Sequence, residues 1–177
     1  MAVERIDDES LRRQLLETGL EELERLPVEF LDEEAEDPGG NLTQLIREMS
    51  VPERIRLAIF GNQMVRSVLL RDSYKQIPLL VLANPRLTEN EVLEIAKNTQ
   101  LDDGVLRALA NDAQWMKSYQ VKLAIVSNPK VPINSGLRWL KFIRDKDLGR
   151  LARSKNIPQV VSSQARKLLE QRKGTPG

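Results

Sequence analysis

Apolar residues recur at intervals of three and four positions over most of this chain of 177 residues. That spacing places side chains on one face of an α-helix. The pattern is clearest between Ser10 and Leu26, and it returns from residue 41 onward in short segments separated by glycine, proline and asparagine. These separating residues are typical helix breakers. The pattern therefore predicts an all-α fold.

The segments after residue 41 predict one short helix followed by nine more, in three groups of three. The short helix, over about 41–50, would cover the exposed end of the first group. First helices are predicted at about 52–61, 89–98 and 135–143, second helices at about 63–71, 103–111 and 146–154, and third helices at about 74–83, 116–127 and 158–172.

Local signals agree with these helix bounds. A serine and a threonine are each followed three positions later by glutamate, which is the spacing of a capping box. Two aspartates precede predicted second helices and are typical N-caps. Two asparagine–proline pairs follow third helices, and the residue before proline is disfavoured in a helix. The capping boxes are Ser50/Glu53 and Thr88/Glu91, the aspartates are Asp102 and Asp145, and the asparagine–proline pairs are Asn84-Pro85 and Asn128-Pro129.

The chain also repeats itself internally, which predicts about three repeats of three helices each. Glutamines recur every 44 positions, and arginines recur in the second helices. These are Gln76, Gln120 and Gln164, and Arg66, Arg107 and Arg150. The segments that align are 79–88 with 123–132, 53–58 with 91–96 and 135–140, and 65–68 with 106–109 and 148–151.

Three-helix units of about 40 residues resemble armadillo and HEAT repeats. The strings Asn-Pro-x-Leu-Thr and Asn-Pro-x-Val-Pro also resemble the leucine-rich-repeat-variant family of bacterial helical repeats. The resemblance covers roughly residues 50–172. It implies a bacterial source and a short right-handed α-solenoid, or a compact bundle if the three units close on themselves. In armadillo-type proteins, amide side chains of the third helices hold an extended peptide.

That resemblance gives the three glutamines a candidate role as a ladder that pairs with peptide groups, because an amide both donates and accepts. Alternatively, they are surface residues kept by duplication. The three arginines are ambiguous in the same way. They either bridge neighbouring units through carboxylates such as Asp72, Asp103 or Asp147, or form a basic track for phosphate or acidic peptide.

The amino-acid composition excludes several classes of catalytic and metal-binding site. The chain has no cysteine and no histidine, which excludes thiolate nucleophiles, Cys/His zinc sites and imidazole acid–base catalysis. It has no phosphate-binding glycine loop, nucleophile elbow or metal motif. The prediction is a protein that is not an enzyme and uses no cofactor. An enzyme alternative rests on resemblance to DNA glycosylases built from HEAT-like repeats, but this chain has fewer repeats and no carboxylate in a matching motif.

Charge is uneven although the formal net charge is +1. Residues 1–40 carry 14 acidic and four basic side chains, whereas residues 113–177 carry three acidic and 14 basic ones. The predicted organisation is an acidic N-terminal helix and linker over 1–40, with the helix at 10–26 and the linker at 28–40, a helical repeat domain over 41–173 and a disordered tail over 174–177. The acidic arm either folds over the basic surface, or both are solvated faces without a mutual role.

The basic half supplies the candidate surface for a partner. Lys122 and Arg166 each lie two positions after a repeated glutamine, which predicts that they share one face of successive units. A partly exposed Trp115 would be a good interface anchor. The candidate partner-binding residues are Gln76, Trp115, Lys117, Gln120, Lys122, Gln164 and Arg166.

Two aromatic pairs at helical spacing are predicted to share helix faces, and such pairs belong to the core more often than to a ligand site. These pairs are Trp115 with Tyr119 and Trp139 with Phe142.

Together these patterns predict a non-enzymatic protein-interaction module, an adaptor or regulatory scaffold, whose basic face binds an acidic or extended segment of another protein. The alternative is a helical-repeat protein that binds nucleic acid with the same face. The longest apolar stretch, residues 77–83, is too short to span a bilayer, and the N-terminus lacks the pattern of a signal peptide. We therefore expect a cytoplasmic location.

Overall fold

The computed structural model describes residues 26–34 and 41–174. These residues form ten α-helices and two short 3-10 helices, and they contain no β-strand. The all-α prediction is confirmed. The α-helices are α1 Leu42–Glu48, α2 Val51–Phe60, α3 Gln63–Leu69, α4 Gln76–Val81, α5 Glu89–Lys97, α6 Asp103–Asn111, α7 Tyr119–Ser127, α8 Ile133–Leu140, α9 Asp145–Leu151 and α10 Gln159–Gly174, and the 3-10 helices are Val28–Phe30 and Trp115–Lys117.

Each predicted helix from residue 41 onward overlaps one of these α-helices. Among the helix starts, that of α7 differs most from its prediction, because the Ser118 side chain accepts from the backbone N–H of Val121 at 3.4 Å and caps the helix there. Trp115 consequently lies in a separate 3-10 turn, and the prediction that it shares a helix with Tyr119 is wrong. At the other end of the chain, α10 includes Gly174, and residues 175–177 lie outside the described residues.

Both predicted capping boxes are present. The backbone N–H of Ser50 donates to Glu53 at 2.8 Å, and the backbone N–H of Thr88 donates to Glu91 at 3.0 Å. The hydroxyl and the backbone N–H of Ser50 together hold the pKa of Glu53 below its ordinary value. These short-range contacts fix the first turns of α2 and α5.

The two predicted aspartate caps have different outcomes. Asp102 caps α6 and accepts from the backbone N–H of Gly104 at 2.8 Å. The N-cap predicted at Asp145 is wrong, because α9 begins at Asp145 itself and Arg144 holds the cap position without a side-chain hydrogen bond. An acidic residue in the first turn still interacts favourably with the helix dipole.

The chain divides into two compact units, Met1–Arg86 and Leu87–Gly177. Helices α1 to α4 belong to the first unit and α5 to α10 to the second. The boundary falls between the first and the second of the three predicted repeats. The extent of a single repeat domain over 41–173 stays a prediction.

In the first unit, one buried cluster joins the four helices to the segment that precedes them. Phe30 is 3% exposed and Leu26 is 5% exposed, and both belong to this cluster. The sequence predicts a linker from Val28 onward, whereas residues 28–34 pack against the unit instead. We call residues 26–34 the N-terminal strap. The rest of the acidic arm, including all of the helix predicted over 10–26 except Leu26, lies outside the described residues.

The second unit has a buried cluster around its last three helices. Its fully buried members are aliphatic, and the aromatic rings of Tyr119 and Trp139 pack against it from the edge. The buried members are Val126, Leu140, Ile143, Leu148, Leu151, Ala152, Ile157, Val161 and Ala165. This cluster is the base on which the candidate surface of the second unit is built.

Two buried asparagines, both from asparagine–proline pairs, make equivalent contacts in the two units. The side-chain amide of Asn84 donates to the carbonyls of Ala58 and Gly61, at 3.1 and 3.2 Å, and thereby joins the end of α4 to the end of α2. Its Oδ1 accepts from the backbone N–H of Arg86 at 2.9 Å. The side chain thus reaches past Pro85, which has no N–H of its own.

Asn128 does the same in the second unit. Its side-chain amide donates to the carbonyls of Ala96 and Asn98, at 2.9 and 3.0 Å, and joins the end of α7 to the end of α5. Its Oδ1 accepts from the backbone N–H of Lys130 at 2.9 Å. Both asparagines therefore satisfy carbonyls that a helix end leaves without an intrahelical partner.

Candidate interaction surface

The most exposed aromatic side chain among the described residues of the second unit is Phe142, which follows α8 and is 50% exposed. The Nζ atoms of Lys122 and Lys141 lie 5.8 and 5.1 Å from the centroid of its ring, within the range of a cation–π contact. We call these three residues the Phe142 surface. It brings together a residue of α7 and two residues that follow α8.

The prediction that Phe142 belongs to the core is wrong. The sequence predicts a helix through residue 143, whereas α8 ends at Leu140. The chain turns there, so Ile143, at 1% exposed, fills the buried position. Phe142 is left at the surface beside Lys122 and Lys141.

The other half of this aromatic pair is a structural residue. The ring centroids of Trp139 and Phe142 are 5.6 Å apart, with the rings tilted by 43°. Trp139 Nε1 donates to the carbonyl of Ala110 at 2.8 Å, and the guanidinium of Arg138 donates to the same carbonyl and to the side chain of Asn111. These bonds attach α8 to the end of α6. The ring beside Phe142 is therefore held in place.

The remaining predicted partner-binding residues lie in several places. Gln76, at the start of α4, belongs to the first unit, whereas Gln120 in α7 and Gln164 in α10 belong to the second. Gln76 and Gln120 are exposed and Gln164 is half-buried. Lys117 is exposed and Trp115 is half-buried, both in the 3-10 turn before α7. The amide ladder and the role of Trp115 stay predictions.

Arg166 is exposed, but its guanidinium also makes a contact within the fold. Its guanidinium donates to the carbonyl of Ala152, the C-cap residue of α9, at 3.2 Å. A basic side chain that binds the last carbonyls of a helix is a common C-terminal cap. The charge reversal of Arg166 would therefore disturb α9 as well as any surface to which the residue contributes.

The three repeated arginines have three different surroundings. Arg66 is 1% exposed and binds Glu33 at 2.6 Å and the carbonyl of Gly61 at 2.8 Å. Arg107 pairs with Asp103 one turn earlier in its own helix at 2.9 Å. Arg150 likewise pairs with Asp147 in its own helix. The ion pairs Arg107–Asp103 and Arg150–Asp147 each lie within a single helix and are not the predicted bridges between units.

Arginines and lysines of the second unit are used differently. Arg138, Arg166 and Arg172 each donate to backbone carbonyls at the ends of helices or in turns. The lysines are mostly exposed. Those exposed are Lys97, Lys117, Lys130, Lys141, Lys146, Lys155, Lys167 and Lys173. The planar guanidinium suits fixed contacts, whereas a lysine ammonium is a mobile point charge. The lysines therefore supply mobile charges on the surface of this unit, whereas three of its exposed arginines are held by backbone carbonyls.

A partly buried polar network, centred on Asp147, joins α7 to α9. The hydroxyl of Tyr119 donates to Asp147 and accepts from the backbone N–H of Arg144 at 3.2 Å. Arg150 donates to the other oxygen of the same carboxylate. Hydrogen bonds from Tyr119 and then Arg150 hold the pKa of Asp147 below its ordinary value. Burial, followed by the bond to Asp147, raises the pKa of Tyr119.

We expect Tyr119→Phe to lower the free energy of unfolding at pH 7 by about 1–2 kcal/mol, because it leaves a carboxylate oxygen and a backbone N–H without their partner. Because the pKa of Asp147 is lowered in the folded state, its hydrogen bonds stabilise the fold at pH values above the unfolded pKa of about 3.9. This stabilisation is lost as the pH falls through the folded pKa. Because the pKa of Tyr119 is raised in the folded state, the protonated hydroxyl stabilises the fold below the unfolded pKa of about 10. This stabilisation is lost as the pH rises through the folded pKa.

The difference between the wild type and Tyr119→Phe should consequently be largest near neutral pH and shrink towards acid and alkali. Urea denaturation at a series of pH values measures it. Tyr74→Phe is the control, because Tyr74 is 43% exposed. Equal losses for the two variants, or a difference that does not change with pH, would contradict the role given to the Tyr119 hydroxyl.

No known protein family, curated protein or solved structure matches this chain. Over residues 26–34 and 41–174, no three acidic side chains converge on a point that could hold a metal ion. In the same part of the chain, none of the helices combines the length and the apolar character needed to cross a bilayer.

Proposed function

We propose that this chain is a non-enzymatic protein-interaction module, an adaptor or regulatory scaffold, that binds an acidic segment of a partner protein on the Phe142 surface. One observation carries the proposal: the ammonium groups of Lys122 and Lys141 lie 5.8 and 5.1 Å from the ring centroid of a half-exposed phenylalanine. An aromatic anchor beside basic groups offers both apolar area and charge to a partner.

The chemistry of the Phe142 surface favours a segment that carries carboxylates around an apolar side chain. The apolar side chain would cover the ring, and desolvated aromatic anchors dominate the energy of many interfaces. The carboxylates would pair with the two ammonium groups, which mainly affects specificity and the association rate. The 14 basic residues among positions 113–177 add a longer-range attraction for an acidic partner.

The proposal includes the repeat arrangement expected from the sequence: about three three-helix repeats of the armadillo or HEAT type, stacked as a short right-handed α-solenoid or closed as a compact bundle. The equivalent bonds of Asn84 and Asn128 support it, because each joins a third helix to the first helix of the same predicted repeat. Their acceptors Ala58 and Ala96 are also aligned in the repeat. A bacterial source and a cytoplasmic location remain part of the proposal.

Binding of nucleic acid is the second candidate, because an exposed ring beside lysines can stack on a base. The other rings of this region offer less. The guanidinium of Arg144 lies 4.3 Å from the ring centroid of Tyr119, and that of Arg138 lies 5.1 Å from the ring of Trp139. A single free ring is a poor platform for successive bases, so we favour the protein partner.

The test is affinity capture from bacterial lysate with and without nuclease, with the wild type compared to Phe142→Ala and to Lys122→Glu/Lys141→Glu. We expect a nuclease-resistant protein partner whose recovery falls at least about tenfold with either variant, since anchors of this kind contribute more than about 1–2 kcal/mol. The matched control is Lys155→Glu/Lys167→Glu, which changes the net charge equally within the same unit. Circular dichroism checks that each variant is folded.

Three results would decide against the proposal. Equal loss with the two double variants would show that net charge, and not the Phe142 surface, determines binding. Unchanged recovery with Phe142→Ala would remove the aromatic anchor. Recovery of nucleic acid alone, lost on nuclease treatment and weakening steeply with salt, would favour the second candidate, because phosphate contacts release counterions.

A further inference from the structure

We infer that the surface that holds the N-terminal strap is a peptide-binding cleft, filled here by the chain's own residues 26–34, and that a partner segment with an aromatic residue and a carboxylate three positions later can replace the strap. The cleft consists of the polar groups of Asn62, Gln63, Arg66 and Arg86 together with the buried apolar cluster around Phe30. All of these residues belong to the first unit, so the inference is independent of the Phe142 surface.

The first observation is that four consecutive strap carbonyls are bound by the cleft. The side-chain amide of Asn62 donates to the carbonyls of residues 29 and 32, both at 2.8 Å. The backbone N–H of Asn62 donates to the carbonyl of residue 30 at 2.8 Å. Arg86 donates to the carbonyl of residue 31 at 2.6 Å. These bonds recognise backbone and would form with many side-chain sequences.

The second observation is selective burial of the strap side chains. Phe30 and Leu26 are buried in the apolar cluster, whereas Val28, between them, is 74% exposed. The cleft therefore selects for apolar side chains at two positions and leaves the intervening position open. In peptide recognition, hydrogen bonds to the backbone supply affinity and pockets for particular side chains supply specificity. Here the cleft holds its peptide as a turn, since Val28–Phe30 form a 3-10 helix.

The third observation is a site for one carboxylate. Glu33 accepts from Arg66 Nη1 at 2.6 Å and from the backbone N–H of Gln63 at 3.0 Å. The side chain of Arg66 is only 2% exposed, whereas that of Glu33 is 37% exposed. The carbonyl of Gly61 also binds the guanidinium, at 2.8 Å. The cation therefore belongs to the cleft and is oriented by it, and the carboxylate is supplied by the peptide.

The chain's own strap is a strong competitor for any free peptide. A tethered segment has an effective concentration of about millimolar when its linker is short and flexible. The cleft should therefore be closed to a free peptide in the wild type and open when the strap is weakened. This difference makes the inference testable with the full chain.

The probe is a fluorescently labelled synthetic peptide with the sequence of residues 26–34, and anisotropy reports its binding. The full chain is used as wild type, as Phe30→Ala, which empties the apolar site, and as Glu33→Arg, which repels Arg66 and leaves the core intact. We expect saturable binding to both variants and binding at least about tenfold weaker to the wild type. A peptide with alanine at the position of Phe30 should not bind.

Adding Asn62→Ala to either variant should abolish binding, because it removes the amide that bonds to two peptide carbonyls. Circular dichroism shows which variants are folded, and if Phe30→Ala does not fold, Glu33→Arg decides alone. A folded Glu33→Arg chain that does not bind the peptide overturns the inference. A wild-type dimer that the peptide dissociates would also overturn it, by assigning the cleft to the strap of a second copy of this chain.

Discussion

Replacing Asn128 by alanine should lower the free energy of unfolding by about 3 kcal/mol. The amide is 5% exposed and joins two helix ends through the carbonyls of Ala96 and Asn98. Alanine removes both donors and the acceptor for the backbone N–H of Lys130. Each buried polar group left without a partner costs about 1–3 kcal/mol. Partial access of water to the ends of α5 and α7 makes the total cost smaller than the sum of the separate costs. Urea denaturation followed by far-UV circular dichroism measures the loss.

The matched control is Asn134→Ala. Asn134 is exposed on α8, and alanine is the better helix former there, so stability should stay equal or rise by a few tenths of a kcal/mol. Asn84→Ala should resemble Asn128→Ala in the first unit, because Asn84 is 3% exposed and makes the equivalent three bonds. A fall in the free energy of unfolding of less than about 1 kcal/mol at both buried sites would show that water replaces the amide. It would contradict the role given to the two asparagines in joining helix ends.

The positions of the helices could be predicted from the sequence because the signals are local. Apolar spacing and caps act within a turn or two of the chain, as the capping boxes at Ser50 and Thr88 demonstrate. The asparagine–proline pairs were informative for the same reason: they predicted where α4 and α7 end. Their further role, in joining α4 to α2 and α7 to α5, depends on partners more than 20 positions away and leaves no local signal.

The candidate sites could be predicted only in part, because they depend on where the chain turns. The sequence predicts Lys122 at the surface but its neighbour Phe142 in the core, because Phe142 follows Trp139 by three positions within a helix predicted to reach residue 143. The sequence predicts a linker for residues 28–34 of the strap, because they lie between Pro27 and the helix-breaking residues 37–40. Its packing depends on Asn62 and Arg86, which lie about 30 and 55 positions further along the chain.

Phe30→Ala should lower the stability of the first unit by about 3 kcal/mol, near the lower end of the range for truncating a buried phenylalanine. The ring is 3% exposed within the cluster formed by α1 to α4. Most residues of the strap are exposed, so part of the space left by the ring can close as neighbouring side chains relax. Hydrogen exchange of the backbone amides in α1 to α4 measures the loss of stability within the unit. The backbone N–H of Asn62 is the most direct reporter, because it donates to the carbonyl of Phe30.

Val28→Ala is the control for Phe30→Ala, since both residues belong to one 3-10 helix and Val28 is 74% exposed. An exposed substitution of this kind changes stability by less than about 0.5 kcal/mol. Similar exchange rates in the two variants would contradict the burial of the strap. Faster exchange at Asn62 with unchanged exchange in the middle of α2 would mean that Phe30→Ala releases the strap and leaves the helices folded, which is the state that a replacing peptide needs.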